Sequence, residues 1–175
     1  MTEKNIAVIG AGYWGKNLVR NFYQLGLLKT VCDGTQSVRK QMGETYPGIV
    51  VTDDVKAVFA DNDIQGVVIA TPAALHYELV DKALKELKHV FVEKPLSLTY
   101  ADGAKLVKLA AERGKILFVG HILQYHPAVV RLKELVRKGT IGRLQYIYSR
   151  RLSLGKIRRE ENILWSLLPM TSLSF

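Results

Sequence analysis

The glycines of Gly10-Ala11-Gly12-Tyr13-Trp14-Gly15 stand at G-x-G-x-x-G spacing, between an apolar run at Ile6–Ile9 and a helix-like segment from Lys16 to Leu25. Strand, glycine turn and helix in that order can hold a pyrophosphate. Gly10 permits the tight turn out of the strand, Gly12 lets a phosphate approach the backbone, and Gly15 lets the helix pack closely on the strand. The helix N-terminus then offers unpaired N–H groups and a partial positive charge. Tyr13 and Trp14, between these glycines, are expected to border the same ligand. Asp33 closes a second apolar run, 27–32, at the ~20-residue offset of an acid that accepts hydrogen bonds from ribose hydroxyls. A carboxylate there repels a 2′-phosphate, so the expected cofactor is NAD rather than NADP.

Three further polar clusters follow apolar runs. They are Ala70-Thr71-Pro72 with His76, then Glu93-Lys94-Pro95, then Gly120-His121 to Gln124 and Pro127. In open α/β sheets ligands bind beyond the carboxyl ends of the strands, which is where these clusters fall. Thr71, Pro72, His76 and Glu93 are therefore expected on the cofactor side. Lys94 is the candidate catalytic group: its ammonium can hold a substrate hydroxyl and stabilise an alkoxide as hydride leaves. His121 is placed beside the cleft as a substrate contact, whereas His126 precedes Pro127 as a helix-entry residue and His89 opens a strand. No Cys/His spacing suggests a metal site. No G-x-S-x-G element suggests a serine hydrolase.

The elements that must position these residues are legible as alternating patterns. Short apolar runs recur at 6–9, 28–32, 48–51, 66–70, 89–92 and 116–119. Helical spacing lies between most of them, clearest at Leu75, Leu79, Ala83, Leu84 and Leu87, and again at Ala104, Val107, Leu109 and Ala110 before Gly114. Continuous apolar strands alternating with helices indicate βαβ units in a parallel sheet. The expected fold class is α/β: a doubly wound parallel Rossmann sheet over residues 1–120, followed over 121–175 by the incomplete start of an α/β open-sheet domain. In that second part a helix is expected from Ala128 to Lys138, ended by Gly139, and a half-buried strand from Leu144 to Ser149.

Composition bounds the rest. With 175 residues, 48% hydrophobic and 23% charged, the chain has an ordinary globular profile. No apolar run is long enough to span a bilayer, and no signal peptide is visible, so neither a membrane nor a secretory route is expected. Cys32 is the single cysteine, which excludes an internal disulfide and fits a reducing cytoplasm. The net charge of +9 is concentrated: residues 131–159 hold 10 basic residues against Glu134 alone. Such a segment meets an anionic partner or forms a solvated face. Tyr146 and Tyr148 alternate as strand positions rather than as a base-stacking platform, so nucleic acid is not the expected partner.

Taken together, GAGYWG, ATPAALH, EKP, GHILQYHP and KGTIGRLQYIYS resemble the Gfo/Idh/MocA oxidoreductase family, and the resemblance covers nearly the whole chain. The stretch from Arg151 to Ser166 resembles its WlbA-type branch, which oxidises the 3-hydroxyl of UDP-N-acetylglucosaminuronic acid with NAD. The resemblance implies a Rossmann domain, then an open-sheet domain that makes a homo-oligomer. It implies Lys94 as the catalytic lysine. Gln124 stands where the family often has an arginine, so this substrate-side position carries no ion pair. Lys156, Arg158 and Arg159 would suit the pyrophosphate and carboxylate of a UDP-sugar acid.

After Trp165-Ser166 the resemblance stops. The branch continues with F-A-P-H-D-I-S-V-I or close to it, whereas this chain reads Leu167-Leu168-Pro169-Met170-Thr171-Ser172-Leu173-Ser174-Phe175. One choice of synonymous codons for these nine residues is TTG-CTC-CCC-ATG-ACA-TCT-CTG-TCA-TTT. Restoring one T gives TTT-GCT-CCC-CAT-GAC-ATC-TCT-GTC-ATT, which encodes the branch sequence. The expectation is therefore a shifted reading frame. Met170 then holds the place of a histidine that, by the resemblance, acts as general base, and a thioether cannot take that proton.

Overall fold

The computed structural model describes residues 4–148. It divides into two compact units, 1–119 and 120–175. The first is a single sheet of six parallel strands in the order β3-β2-β1-β4-β5-β6. The strands are β1 Ile6–Ile9, β2 Leu28–Cys32, β3 Val50–Thr52, β4 Gly66–Ile69, β5 His89–Val92 and β6 Leu117–Val119. Five helices connect them: α1 Gly15–Gln24, α2 Gln36–Thr45, α3 Val55–Ala60, α4 His76–Lys85 and α5 Tyr100–Glu112. Chain direction across the sheet reverses between β3 and β4, which leaves a crevice beyond β1 and β4 at the carboxyl edge. The expected α/β doubly wound sheet is what forms.

Both faces of the sheet are covered, and alternation sorts the side chains. Ala7 and Ile9 of β1, with Val67 and Ile69 of β4, join a core closed by Val58, Phe59, Val80, Ala83, Leu84, Leu106 and Ala110. Val8 and Val68 point the other way, to Val19 of α1 and Met42 of α2. A strand buried on both sides can be apolar at every position, which is why the runs lack visible alternation. Two helical readings shift in register. Leu75 and Leu87 fall outside α4 and are exposed, while Val80 takes the central position. In α5 the buried residues are Leu106 and Ala110, and Val107 is exposed.

Caps place the helix starts. Asp54 Oδ1 accepts from the N–H groups of Lys56 and Ala57 at 2.8 and 3.2 Å before α3. Thr99 Oγ1 accepts from Asp102 N at 3.2 Å before α5, and Gly114, at φ +61°, follows that helix. Such caps satisfy N–H groups that have no partner within the helix.

The second unit, as far as it is described, holds a 3-10 turn at Ile122–Tyr125 and a helix, α6, at Pro127–Arg137. His126 Nδ1 accepts from Ala128 N at 3.2 Å and Pro127 takes the first helical position, as the helix-entry reading of His126 requires. The expected strand over 144–149 does not form across 144–148, which are exposed and neither helical nor extended into a sheet. A strand needs a neighbour for its backbone N–H and C=O groups, and alternation alone does not supply one. Residue 149 and the expectations for Lys156, Arg158, Arg159 and the stretch 167–175 lie outside the described residues.

Candidate functional site

At the carboxyl edge of the sheet the chain leaves β1 through Gly10, whose φ is +90°. A Cβ there would stand 2.8 Å from the Ala70 carbonyl, so β1 and β4 close on each other only with glycine at this position. At Gly15 a Cβ would collide with the Gly10 carbonyl, so the first turn of α1 folds back onto the loop that precedes it. Gly12 differs: a Cβ there would have nothing within 4 Å. Its backbone faces open space at the start of a helix with no acidic residue in its first turn. Gly10 and Gly15 therefore make the turn, and Gly12 leaves the room.

Asp33 follows β2 on the same edge. Its Oδ2 accepts from Ala11 N and its Oδ1 from Thr35 N, both at 2.8 Å. These two bonds hold the carboxylate against the glycine loop. A carboxylate has about four lone-pair sites, so two remain for a ribose diol. The neighbouring Cys32 thiol is buried, and that burial, reinforced by the Asp33 charge, pushes it up to about 11. It is a core residue, held as the protonated thiol at neutral pH.

From β5, Glu93 and Lys94 are both partly buried and Pro95 is buried. Glu93 Oε1 accepts from Trp14 Nε1 at 2.6 Å, which joins the loop after β5 to the N-cap residue of α1. Tyr13 is 88% exposed, with the Lys16 ammonium 5.5 Å from its ring centroid. It is open to a ligand rather than packed.

After β4, Thr71 is partly buried and Pro72 exposed. Thr71 Oγ1 is buried with no hydrogen-bond partner, an unsatisfied polar atom at the crevice. His76 is 1% exposed, with Nδ1 2.6 Å from the Pro95 carbonyl and Nε2 2.9 Å from the Thr71 carbonyl. Both ring nitrogens are engaged, so neither is left for a cofactor. The side chain instead ties the loop after β4 to the loop after β5. Its place at the start of α4 did not announce this, because the Pro95 carbonyl is 19 residues away.

Two polar residues at this edge went unnoticed in the sequence. Arg39 on α2 donates from Nη1 to the Asp33 carbonyl at 2.8 Å, and its Nη2 lies 3.0 Å from Asp53 Oδ2. The only sequence signal was position: Asp53 follows β3, and Arg39 stands six residues past Asp33. In the second unit, His121 opens the 3-10 turn and Gln124 Oε1 accepts from Lys133 Nζ at 2.6 Å.

The residues present fit a dinucleotide. Gly12 offers backbone without a side chain, Asp33 an oriented acceptor, and Thr71 a buried hydroxyl in need of a partner. No helix among the described residues is long and apolar enough to cross a membrane.

The model of an oxidoreductase family with an NAD-binding Rossmann fold matches residues 4–121. The chain is 31% identical over 151 residues to a 2,7-anhydro-N-acetylneuraminate hydratase of Mediterraneibacter gnavus, covering 86% of this chain and 40% of that protein. Among solved structures it is similar to GenD2 of gentamicin A biosynthesis in complex with NAD, at TM-score 0.73 and 30% identity, covering 80% of this chain and 41% of that one. It is similar to the 3-ketoreductase KijD10 of Actinomadura kijaniata in complex with TDP-benzene and NADP, at TM-score 0.73 and 25% identity, over 81% and 44%. It is also similar to the UDP-N-acetylglucosamine 3-dehydrogenase GnnA of Acidithiobacillus ferrooxidans, at TM-score 0.70 and 26% identity, over 77% and 43%. The chain spans about two fifths of the length of the curated relatives it matches.

Proposed function

The chain belongs to the Gfo/Idh/MocA oxidoreductase family, and on that premise we propose that it binds NAD at the carboxyl edge of its sheet for oxidation of the C3 hydroxyl of a UDP-sugar acid such as UDP-N-acetylglucosaminuronic acid. The observation that carries the cofactor half is the Asp33 carboxylate, held by Ala11 N and Thr35 N beside the open face of Gly12. The substrate half is supported by the likeness to a UDP-sugar 3-dehydrogenase and by the basic stretch containing Lys156, Arg158 and Arg159.

In this reading NAD supplies the hydride acceptor. Gly10, Gly12 and Gly15 admit the pyrophosphate to the start of α1, with Tyr13 and Trp14 bordering it. Asp33 receives the ribose hydroxyls. Thr71 and Pro72 line the crevice, and Glu93 braces Trp14. Lys94 holds the substrate hydroxyl and steadies the oxygen as its carbon gives up hydride. The proton acceptor belongs to the position now held by Met170, and the whole enzyme works as a homo-oligomer in the cytoplasm. The resemblance of the GHILQYHP stretch assigns His121 and Gln124 to substrate binding.

The test is a titration of the chain with NAD and NADP, and an assay of NADH formation with UDP-N-acetylglucosaminuronic acid. The assay compares the chain as it stands with one whose frame is restored after Ser166. Preference for NAD, abolished by Asp33→Ala, is expected. So is turnover confined to the restored chain and reduced roughly 10²–10³-fold by Lys94→Ala. Equal binding of NADP, or equal turnover by both chains, contradicts the reading. A second reading, action on another sugar acid, is favoured by the hydratase relatives. A panel of sugar acids in the same assay separates the two.

A further inference from the structure

We infer that Asp53 sets the discrimination against a 2′-phosphorylated dinucleotide by holding Arg39 away from the ribose. The inference rests on the nucleotide-site reading above and adds a specificity determinant to it. Arg39 reaches from α2 to the end of β2, where its Nη1 donates to the Asp33 carbonyl at 2.8 Å. The guanidinium therefore stands beside the residue whose carboxylate faces the ribose. A guanidinium in that place is the natural receiver of a 2′-phosphate, because its planar fork matches phosphate oxygens two at a time. Left alone, Arg39 would favour the cofactor that Asp33 disfavours.

Asp53 removes that conflict. The ends of β2 and β3 are adjacent, with Cys32 paired to Thr52 and Asp33 N donating to the Thr52 carbonyl at 3.1 Å. That pairing brings Asp53, the next residue, to 3.0 Å from Arg39 Nη2. With Nη1 on the Asp33 carbonyl and Nη2 on Asp53, the fork is occupied from both sides. The Arg39 side chain is 21% exposed, so it is fixed in the corner rather than swinging in solvent. The corner itself is acidic: after burial, the charges of Asp33, Asp53 and Asp54 each push the Cys32 thiol up, and Arg39 opposes them. Asp54 is committed to capping α3. Asp53 is the one carboxylate whose removal both frees Arg39 and lowers the negative charge.

The experiment is an equilibrium calorimetric titration of NAD and NADP into the chain, Asp53→Ala, Asp53→Asn, and the double variant Asp53→Ala/Arg39→Ala. Asp53 is 63% exposed, so its replacement leaves the fold intact, which circular dichroism verifies. Asp53→Ala should tighten NADP binding about five- to tenfold, as loss of one partly exposed ion pair permits, with NAD changing less than twofold. Asp53→Asn should follow it in direction. The double variant should lose the gain, because the phosphate needs the released Arg39. Unchanged NADP affinity in both Asp53 variants overturns the inference while leaving the nucleotide site standing, and so does a double variant that keeps the whole gain. A chain that binds neither nucleotide overturns both.

Discussion

Trp14 Nε1 donates to Glu93 Oε1 across 2.6 Å, and this one bond joins two loops 79 residues apart in sequence. One loop carries the glycines and the other carries Lys94. The bond fixes the spacing between the phosphate-binding turn and the residue proposed to meet the substrate.

Removing either partner should therefore loosen both loops together. Trp14→Phe and Glu93→Ala are each expected to weaken NAD binding roughly fivefold, the worth of one hydrogen bond near the surface. The double variant should be no worse than the single ones. A double-mutant cycle on NAD affinity checks this, and additive losses would show that the bond does not couple the loops.

The glycines should separate by role. Gly12→Ala places its Cβ in open space. Folding stability should stay within about 0.5 kcal/mol of the parent while NAD affinity falls at least tenfold, on the order expected for blocking close backbone approach. Gly15→Ala sets a Cβ against the Gly10 carbonyl. It should lose about 1–3 kcal/mol of stability as well as the nucleotide. Urea unfolding of both variants, paired with titration, tells the two effects apart.

His76→Phe keeps the volume of a buried ring but removes its bonds to the Pro95 and Thr71 carbonyls. A neutral imidazole has a single N–H, so one carbonyl acceptor then loses its donor, at a cost of about 1–3 kcal/mol. The measurement is urea unfolding without nucleotide. A variant as stable as the parent, yet unable to bind NAD, would return His76 to the cofactor side.

At the opposite end of the sheet, the Lys29 ammonium lies 2.8 Å from both Asp61 and Asp63 carboxylates. Its hydrogen bond holds the Asp61 carboxyl below its ordinary 3.8. The same contacts, Asp61 first, hold Lys29 above its ordinary 10.5. A depressed carboxyl contributes stability that is complete above its ordinary value and is lost as pH falls through the depressed one. A raised amine contributes stability that is complete below its ordinary value and is lost as pH rises through the raised one. Thermal stability should thus fall on acidification below 3.8 and again on alkalinisation above 10.5. Lys29→Met should flatten both arms and cost roughly 1 kcal/mol at neutral pH. Melting curves of the two proteins across pH settle the point.

The six strands, the helices α1, α4 and α5 and the glycine turn were legible because each is a local pattern, whereas α2 and α3 carry no comparable apolar stripe and emerge only in the structure. An apolar run of four or five residues, a glycine at a fixed offset and a helical stripe need only their neighbours in sequence. Asp33 was legible for the same reason: a βαβ unit fixes how far from the glycines its second strand must end. Registers were less so. Leu75 and Leu87 matched a helical face by spacing, yet the end of α4 decides which leucines turn inward. Leu144 to Tyr148 alternate like a strand, but alternation is a property of a segment and pairing is a property of two. Tertiary structure alone decided who bonds to whom at the carboxyl edge. The topology 3-2-1-4-5-6 brings the ends of β1, β2, β4 and β5 together. Only then do Trp14 and Glu93, His76 and Pro95, or Arg39 and Asp53 become neighbours. Buried polar atoms take whatever partner the packing presents, and that choice is made after the sheet has closed.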